Sequence, residues 1–190
     1  MIENYSRPGG HSGMGFRTLK VSQFEFLHGA NIGGDAPKDF VRVYEYGKAN
    51  KNSKANWPHY IAKIGHKHYP NESITEYLIT RIGQVWGMSI ADARLFICGR
   101  YLRYASKYFL KPGKEQLIHG AEIFGGYVND QAKVEQIELD DLACQEFTFA
   151  FAQKALGNRF PDKADDIVKR FVEMLTFDAL VGNNDRHFYN

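Results

Sequence analysis

Three places in the sequence carry residue types whose spacing could do chemistry. The first is the run from Gly29 to Lys38, Gly-Ala-Asn-Ile-Gly-Gly-Asp-Ala-Pro-Lys. Its glycines expose backbone N–H groups with no Cβ to keep a ligand away, which suits phosphate oxygens. The same residues equally make a hairpin with a bulge. The run is not the Walker pattern, because no Gly-Lys-Ser/Thr follows. The second place is Lys63, within Tyr60-Ile61-Ala62-Lys63-Ile64. A lysine on an apolar strand either sits at an edge with its ammonium in water or is oriented by a carboxylate, for which Glu76 is the candidate. Glu76 has a competing use, since Ser73-Ile74-Thr75-Glu76 fits a capping box in which its carboxylate reaches back to a backbone N–H. The third place is Gly182-Asn183-Asn184-Asp185-Arg186-His187-Phe188-Tyr189-Asn190. There Asp185 could accept a proton from a hydroxyl, and Asn190, five residues on, could offer a carbonyl oxygen to a hard cation. The alternative is a helix C-cap followed by a polar turn. Zinc is not expected, because His187 has no second His or Cys at ligand spacing.

The elements that must position these residues follow from periodicity. Phe24, Phe26, Val41, Val43 and Glu45 alternate with other residues at period two and predict strands, with the glycine-rich run between them. Gly47 to Pro58 reads as an exposed hairpin connection, and His59 to Ile64 as a third strand. Ile74, Tyr77, Leu78, Ile82 and Val85 fall on one face at helical spacing, which predicts a helix buried along that stripe and ended by Gly87. Ala93 to Cys98 and Leu102 to Leu110 read as two further strands. After Pro112-Gly113 the character changes. Leu142 to Leu156 is expected as one helix stopped by Gly157-Asn158, and Lys163 to Val181 as another, closing at Gly182. The pattern divides into a lead-in over residues 1–20, expected to be flexible, a sheet-containing lobe over 21–110 and a helical part over 111–190.

Composition narrows the class. Hydrophobic residues make up 44% and charged residues 24%, as in ordinary globular domains and unlike disordered chains. With 24 basic and 22 acidic residues the formal charge is +2, so no strong field draws the chain to nucleic acid, and no direct nucleic-acid binding is expected. The two cysteines, Cys98 and Cys144, exclude a disulfide scaffold and suit a reducing cytoplasm. No run of about 18 apolar residues would span a bilayer, and no basic-then-apolar leader opens the chain.

Taken in order, a glycine-rich strand–loop–strand, a strand lysine, a helix glutamate, a linker and an Asp-x-x-x-x-Asn loop resemble protein kinases. More closely, the chain from about Gly29 to Asn190 resembles the HipA family of bacterial serine/threonine kinases, the toxins of toxin–antitoxin pairs. The resemblance implies an α+β fold: a kinase-like N-terminal lobe of about five antiparallel strands plus one helix, then the first helices of an α-helical C-terminal lobe. It implies phosphoryl transfer from ATP with Mg2+ to a protein hydroxyl. Ile32, Gly33, Gly34 and Asp35 would hold phosphate oxygens through their backbone, and Lys63, oriented by Glu76, would contact the α- and β-phosphates. Lys107 and Tyr108, in Ser106-Lys107-Tyr108-Phe109, sit where the family's hinge meets adenine. Asp185 would be the catalytic base, Asn190 a magnesium ligand, and His187 part of the nucleotide site. The resemblance also implies a protein substrate, with aminoacyl-tRNA synthetases among those of the family, and a small DNA-binding antitoxin as partner. Two departures stand out: Asn31 occupies the place nearest the family's autophosphorylated serine, and the family's second metal-binding Asp is not among these 190 residues. The 190-residue chain is therefore expected to bind nucleotide weakly and not to turn over. The rival reading is a nucleotide-binding or partner-binding module without catalysis.

Overall fold

Period-two alternation organises the first half of the protein into one sheet. The structure is a computed structural model that describes residues 16–27, 38–65, 71–111, 113–140 and 142–183, without the side chains of Cys144 and Gln145. Its backbone divides into two compact units, Met1–Phe109 and Leu110–Asn190.

The first unit carries β1 (Arg17–Leu19), β2 (Phe24–Phe26), β3 (Lys38–Val43), β4 (His59–Ile64), α1 (Asn71–Val85), β5 (Ala93–Cys98) and β6 (Tyr101–Lys107). The strand order is β1-β5-β6-β4-β3-β2. Five strands pair antiparallel, as expected, and a sixth was missed. Strand β1 comes from the end of the segment read as lead-in and pairs parallel to β5, Arg17 opposite Phe96. With only three residues it offers too little alternation to be read from sequence.

Pairing register separates the two faces, because residues opposite each other project to the same side. Leu19, Val41, Val43, Tyr60, Ala62, Phe96, Cys98 and Ala105 form the core on one face, with Phe24 and Phe26 packed against them. Each large apolar side chain buried there contributes about 1.5–3 kcal/mol. The opposite face carries His59, Ile61 and Lys63 of β4, and Tyr104 lies opposite Lys63 on β6.

Helix α1 lies on that second face and corrects the expected stripe. Leu78, Ile82 and Val85 are exposed, at 54%, 50% and 87%, whereas Ser73, Thr80 and Gly83 are buried. The sheet beneath α1 presents an ammonium and a phenol, so the helix turns small and hydrogen-bonding residues inward. Gly87 ends the helix as expected, at φ +89°, where a side chain would be strained.

The second unit is helical: α2 (Gly120–Val128), α3 (Gln131–Leu139), α4 (Ala143–Glu146), α5 (Phe149–Arg159) and α6 (Ala164–Val181). The single helix expected over 142–156 is two. Thr148 takes an extended conformation and its side chain accepts the Phe151 N–H, so it caps a fresh helix at Phe149. Gly157 does not stop that helix, which runs on to Arg159. Ala121, Phe124, Val134, Ala152 and Ala155 form the core of this unit, with Phe147, Phe151 and Phe171 around them. No described helix is long and apolar enough to cross a membrane.

Candidate functional site

The site begins near the end of β4. Lys63 projects from the face that α1 covers, and its Nζ donates to Glu76 Oε1 at 3.1 Å. The side chains are 35% and 28% exposed, so the pair is reachable from solvent and its Coulomb attraction is partly screened. The capping-box use of Glu76 is not realised. Helix α1 begins two residues before Ser73, and Ser73 Oγ accepts the Gly65 N–H at 3.1 Å instead. This bond fastens the helix to the strand two residues past Lys63. A Cβ on Gly65 would meet Ser73 Oγ at 2.9 Å and Ser73 N at 3.2 Å, so the close approach needs glycine.

A second tie holds α1 one turn further on. Thr80 Oγ1 donates to the Glu76 carbonyl at 2.8 Å and lies 2.9 Å from Tyr104 Oη. A threonine hydroxyl has one hydrogen, so Tyr104 must donate to it. Burial pushes the Tyr104 phenol up, which keeps that donor protonated. Tyr104 sits opposite Lys63 in the β4–β6 register, so strand lysine, helix glutamate, threonine and tyrosine form one connected group. Sequence reasoning missed Thr80 and Tyr104; the available signal was Thr80 four residues after Glu76, hence on the same helix face.

At the other end of the same sheet face the chemistry is aromatic. Phe40, opposite Ile61 in the β3–β4 register, stacks on His59 with centroids 5.3 Å apart and planes at 20°. It also meets Tyr108 edge-on at 5.1 Å. Burial, with the nearby Arg42 guanidinium, pushes the His59 imidazole down, so it is neutral at pH 7. His59 and Lys63 are four residues apart on one strand, about 13 Å at about 3.3 Å per residue. An apolar aromatic end and a cationic end therefore share one strip of sheet.

Lys107 ends β6 and Tyr108 follows it; the Tyr108 ring joins this cluster, whereas Lys107, opposite Tyr60 in the register, belongs to the core face. The Lys107 N–H donates to Asp92 O at 2.7 Å and the Tyr108 N–H to His59 O at 2.9 Å. Neither amide hydrogen is left to meet a base, so Tyr108 offers its ring and the two residues their carbonyls. Ile32, Gly33, Gly34 and Asp35 lie outside the described residues, as do Asp185, His187 and Asn190.

The opposite, core face holds polar groups that are structural. Glu45 is 3% exposed; its carboxylate accepts from the Tyr60 hydroxyl, with Arg94 Nη1 at 3.5 Å and Lys48 Nζ at 3.2 Å. Burial alone would push the Glu45 carboxyl up, but the Tyr60 hydrogen bond, Arg94 and Lys48 together hold it below its ordinary value. Arg103 pairs with Asp39 on the same side. A cavity of about 100 Å³ opens there, against Glu45, Tyr60 and Arg94, and not at Lys63.

Among solved structures, the crystal structure of a Helicobacter pylori proinflammatory kinase, CtkA, matches 87% of this chain with a TM-score of 0.64 and 17% sequence identity. The fold is kinase-like. The chain spans about half the length of that protein, 50% of it. No protein-family model and no curated protein matches the sequence. At this identity the likeness is one of backbone, and the geometry around Lys63 carries the chemical argument independently. Among the described residues, no group of three or more His, Cys, Asp or Glu side chains gathers as a metal site.

Proposed function

We propose that this protein is an ATP-dependent serine/threonine protein kinase of the HipA-like type, of which the sheet-containing unit is the nucleotide-binding part. The observation that carries the reading is the Lys63–Glu76 ion pair, 3.1 Å long, joining the strand and helix of a kinase-like fold on its solvent-reachable side. In protein kinases a strand lysine and a helix glutamate must pair for the lysine to hold the α- and β-phosphates. Lys63 takes that role here, with Glu76 fixing its ammonium and the Thr80–Tyr104 tie fixing the helix. The Phe40, His59 and Tyr108 rings, with Ile61 between them and Lys63, supply an apolar surface for a purine.

The remaining roles fall on residues named from sequence. Backbone N–H groups from Ile32 to Asp35 hold phosphate oxygens, and Asp185 accepts the proton of the acceptor hydroxyl. His187 belongs to the same loop. Asn190 would bring a carbonyl oxygen, a hard donor that suits Mg2+. Bound magnesium would neutralise charge on the transferring phosphoryl. Because the transition state is loose, positioning and charge supply most of the catalysis. The same proposal extends to a protein acceptor, an aminoacyl-tRNA synthetase being one class, to a small DNA-binding antitoxin as partner, and to the cytoplasm as the place of action.

Transfer of labelled phosphate from ATP to a protein serine or threonine, abolished by Lys63→Met, tests the proposal. ATP binding without transfer would instead support a nucleotide-binding module.

A further inference from the structure

Helix α6 ends against its own dipole. Its last turn holds no basic residue, and within that turn stands Asp178, only 6% exposed. A negative charge near a helix C-terminus is disfavoured, and burying a carboxylate costs more unless hydrogen bonds replace its water. An apolar residue would suit the position better, as the equally buried neighbour Phe177 does.

A residue downstream gives one answer to the carboxylate. Asp178 Oδ1 accepts from Asn183 Nδ2 at 2.8 Å. A carboxylate is only an acceptor, so the Asn183 amide must present its NH2 group. The Asp178 backbone carbonyl accepts the N–H of Gly182 and that of Asn183, the latter at 2.9 Å. Gly182 turns the chain at φ +69°, and Asn183 is then held by both its backbone and its side chain. Two bonds from one residue fix its orientation as well as its place. Asp185 follows two residues later in sequence.

We propose that Asp178 is a positioning residue that clamps Asn183, the residue two places before Asp185 in sequence. The inference rests on the kinase reading for its consequence, but the clamp itself is a property of α6 and its cap. It gives the acid a use at a place that helix and burial both disfavour.

The test uses Asp178→Leu and Asn183→Ala in the protein at its natural length. Asp178→Leu should speed backbone amide exchange at Gly182 and Asn183 at least tenfold. It should lower kcat for phosphoryl transfer at least tenfold, with KM for ATP within twofold of wild type. Asn183→Ala should reproduce the kinetic loss without touching the helix interior. The exchanged pair, Asp178→Asn with Asn183→Asp, restores a donor–acceptor match and should recover part of kcat, which a merely structural role would not produce. Unchanged exchange at Gly182 and Asn183 in Asp178→Leu would overturn the clamp, whatever the activity. Faster exchange with kcat within twofold of wild type would overturn the positioning role. A wild-type protein that transfers no phosphate would refute the kinase reading, and the exchange result would still decide the clamp.

Discussion

Replacing Lys63 by Met separates a catalytic lysine from a structural one, because the structure sets the two effects at different sizes. At 3.1 Å the Coulomb attraction to Glu76 is about 1.3 kcal/mol at the dielectric of water and about 5 kcal/mol at an effective dielectric of about 20. Both side chains are about one-third exposed, at 35% and 28%, so solvent screening and lost side-chain freedom reduce the net value to about 0.5–1 kcal/mol. Methionine keeps the aliphatic stem on the sheet. For a chain of 190 residues, about 1 kcal/mol corresponds to about 2–4 °C in melting temperature. Phosphoryl transfer should fall much further. A charged donor aimed at phosphate in the transition state is worth about 3–4 kcal/mol, or about 10²–10³ in rate. Calorimetry and transfer of labelled phosphate, measured on the same preparation, give both numbers. Glu76→Gln should produce a similar small stability loss, and the double variant should show a coupling of about 0.5–1 kcal/mol. A fall of more than about 8 °C with transfer unaffected would show that Lys63 holds the fold together and that the reasoning is wrong.

Three further outcomes follow from the same geometry. Gly65→Ala should destabilise by about 1–3 kcal/mol in urea unfolding, since its Cβ would press on Ser73 Oγ and N at 2.9 and 3.2 Å; pairing it with Ser73→Ala should recover part of the loss. Glu45 binds its proton more weakly in the folded protein than in the unfolded chain, with a folded pKa below the ordinary 4.5. Its contribution is therefore complete above about pH 4.5 and lost as pH falls through the folded value. Tyr60→Phe removes the donor to this carboxylate, so it should cost about 1–3 kcal/mol at pH 7 and move acid unfolding to higher pH; an unchanged acid midpoint would contradict this. Tyr108→Ala, which removes the ring that meets Phe40 at 5.1 Å, should weaken ATP binding by about tenfold, the worth of about 1.4 kcal/mol of lost stacking, while leaving inorganic triphosphate binding unchanged in a calorimetric titration.

The parts of the fold readable from sequence were those with a strong period. Strands β3, β4 and β6 alternate because one face is core, and α6 ends at Gly182 because glycine takes the left-handed turn without strain. Lys63 and Glu76 were readable as candidates, but spacing alone could not choose between their ion pair and a capping box. That choice depends on where α1 begins, and Ser73 is claimed by Gly65 through a contact distant in sequence. The apolar stripe of α1 misled for a related reason: Leu78, Ile82 and Val85 follow the helical period, yet the sheet strip below rewards Thr80 and Gly83. Thr148 split a predicted helix because a local cap outweighed the apolar run on either side. Tyr104 carries no motif at all; only the strand register brings it opposite Lys63.

On the proposed function, the protein at its natural length passes phosphate from ATP to a protein hydroxyl with Asp185 as the base. Transfer of labelled γ-phosphate by the protein at its natural length, wild type beside Asp185→Asn, tests it most directly. The wild type should transfer phosphate to serine or threonine and Asp185→Asn should not, with ATP binding retained in both. Equal transfer by the two proteins would contradict it.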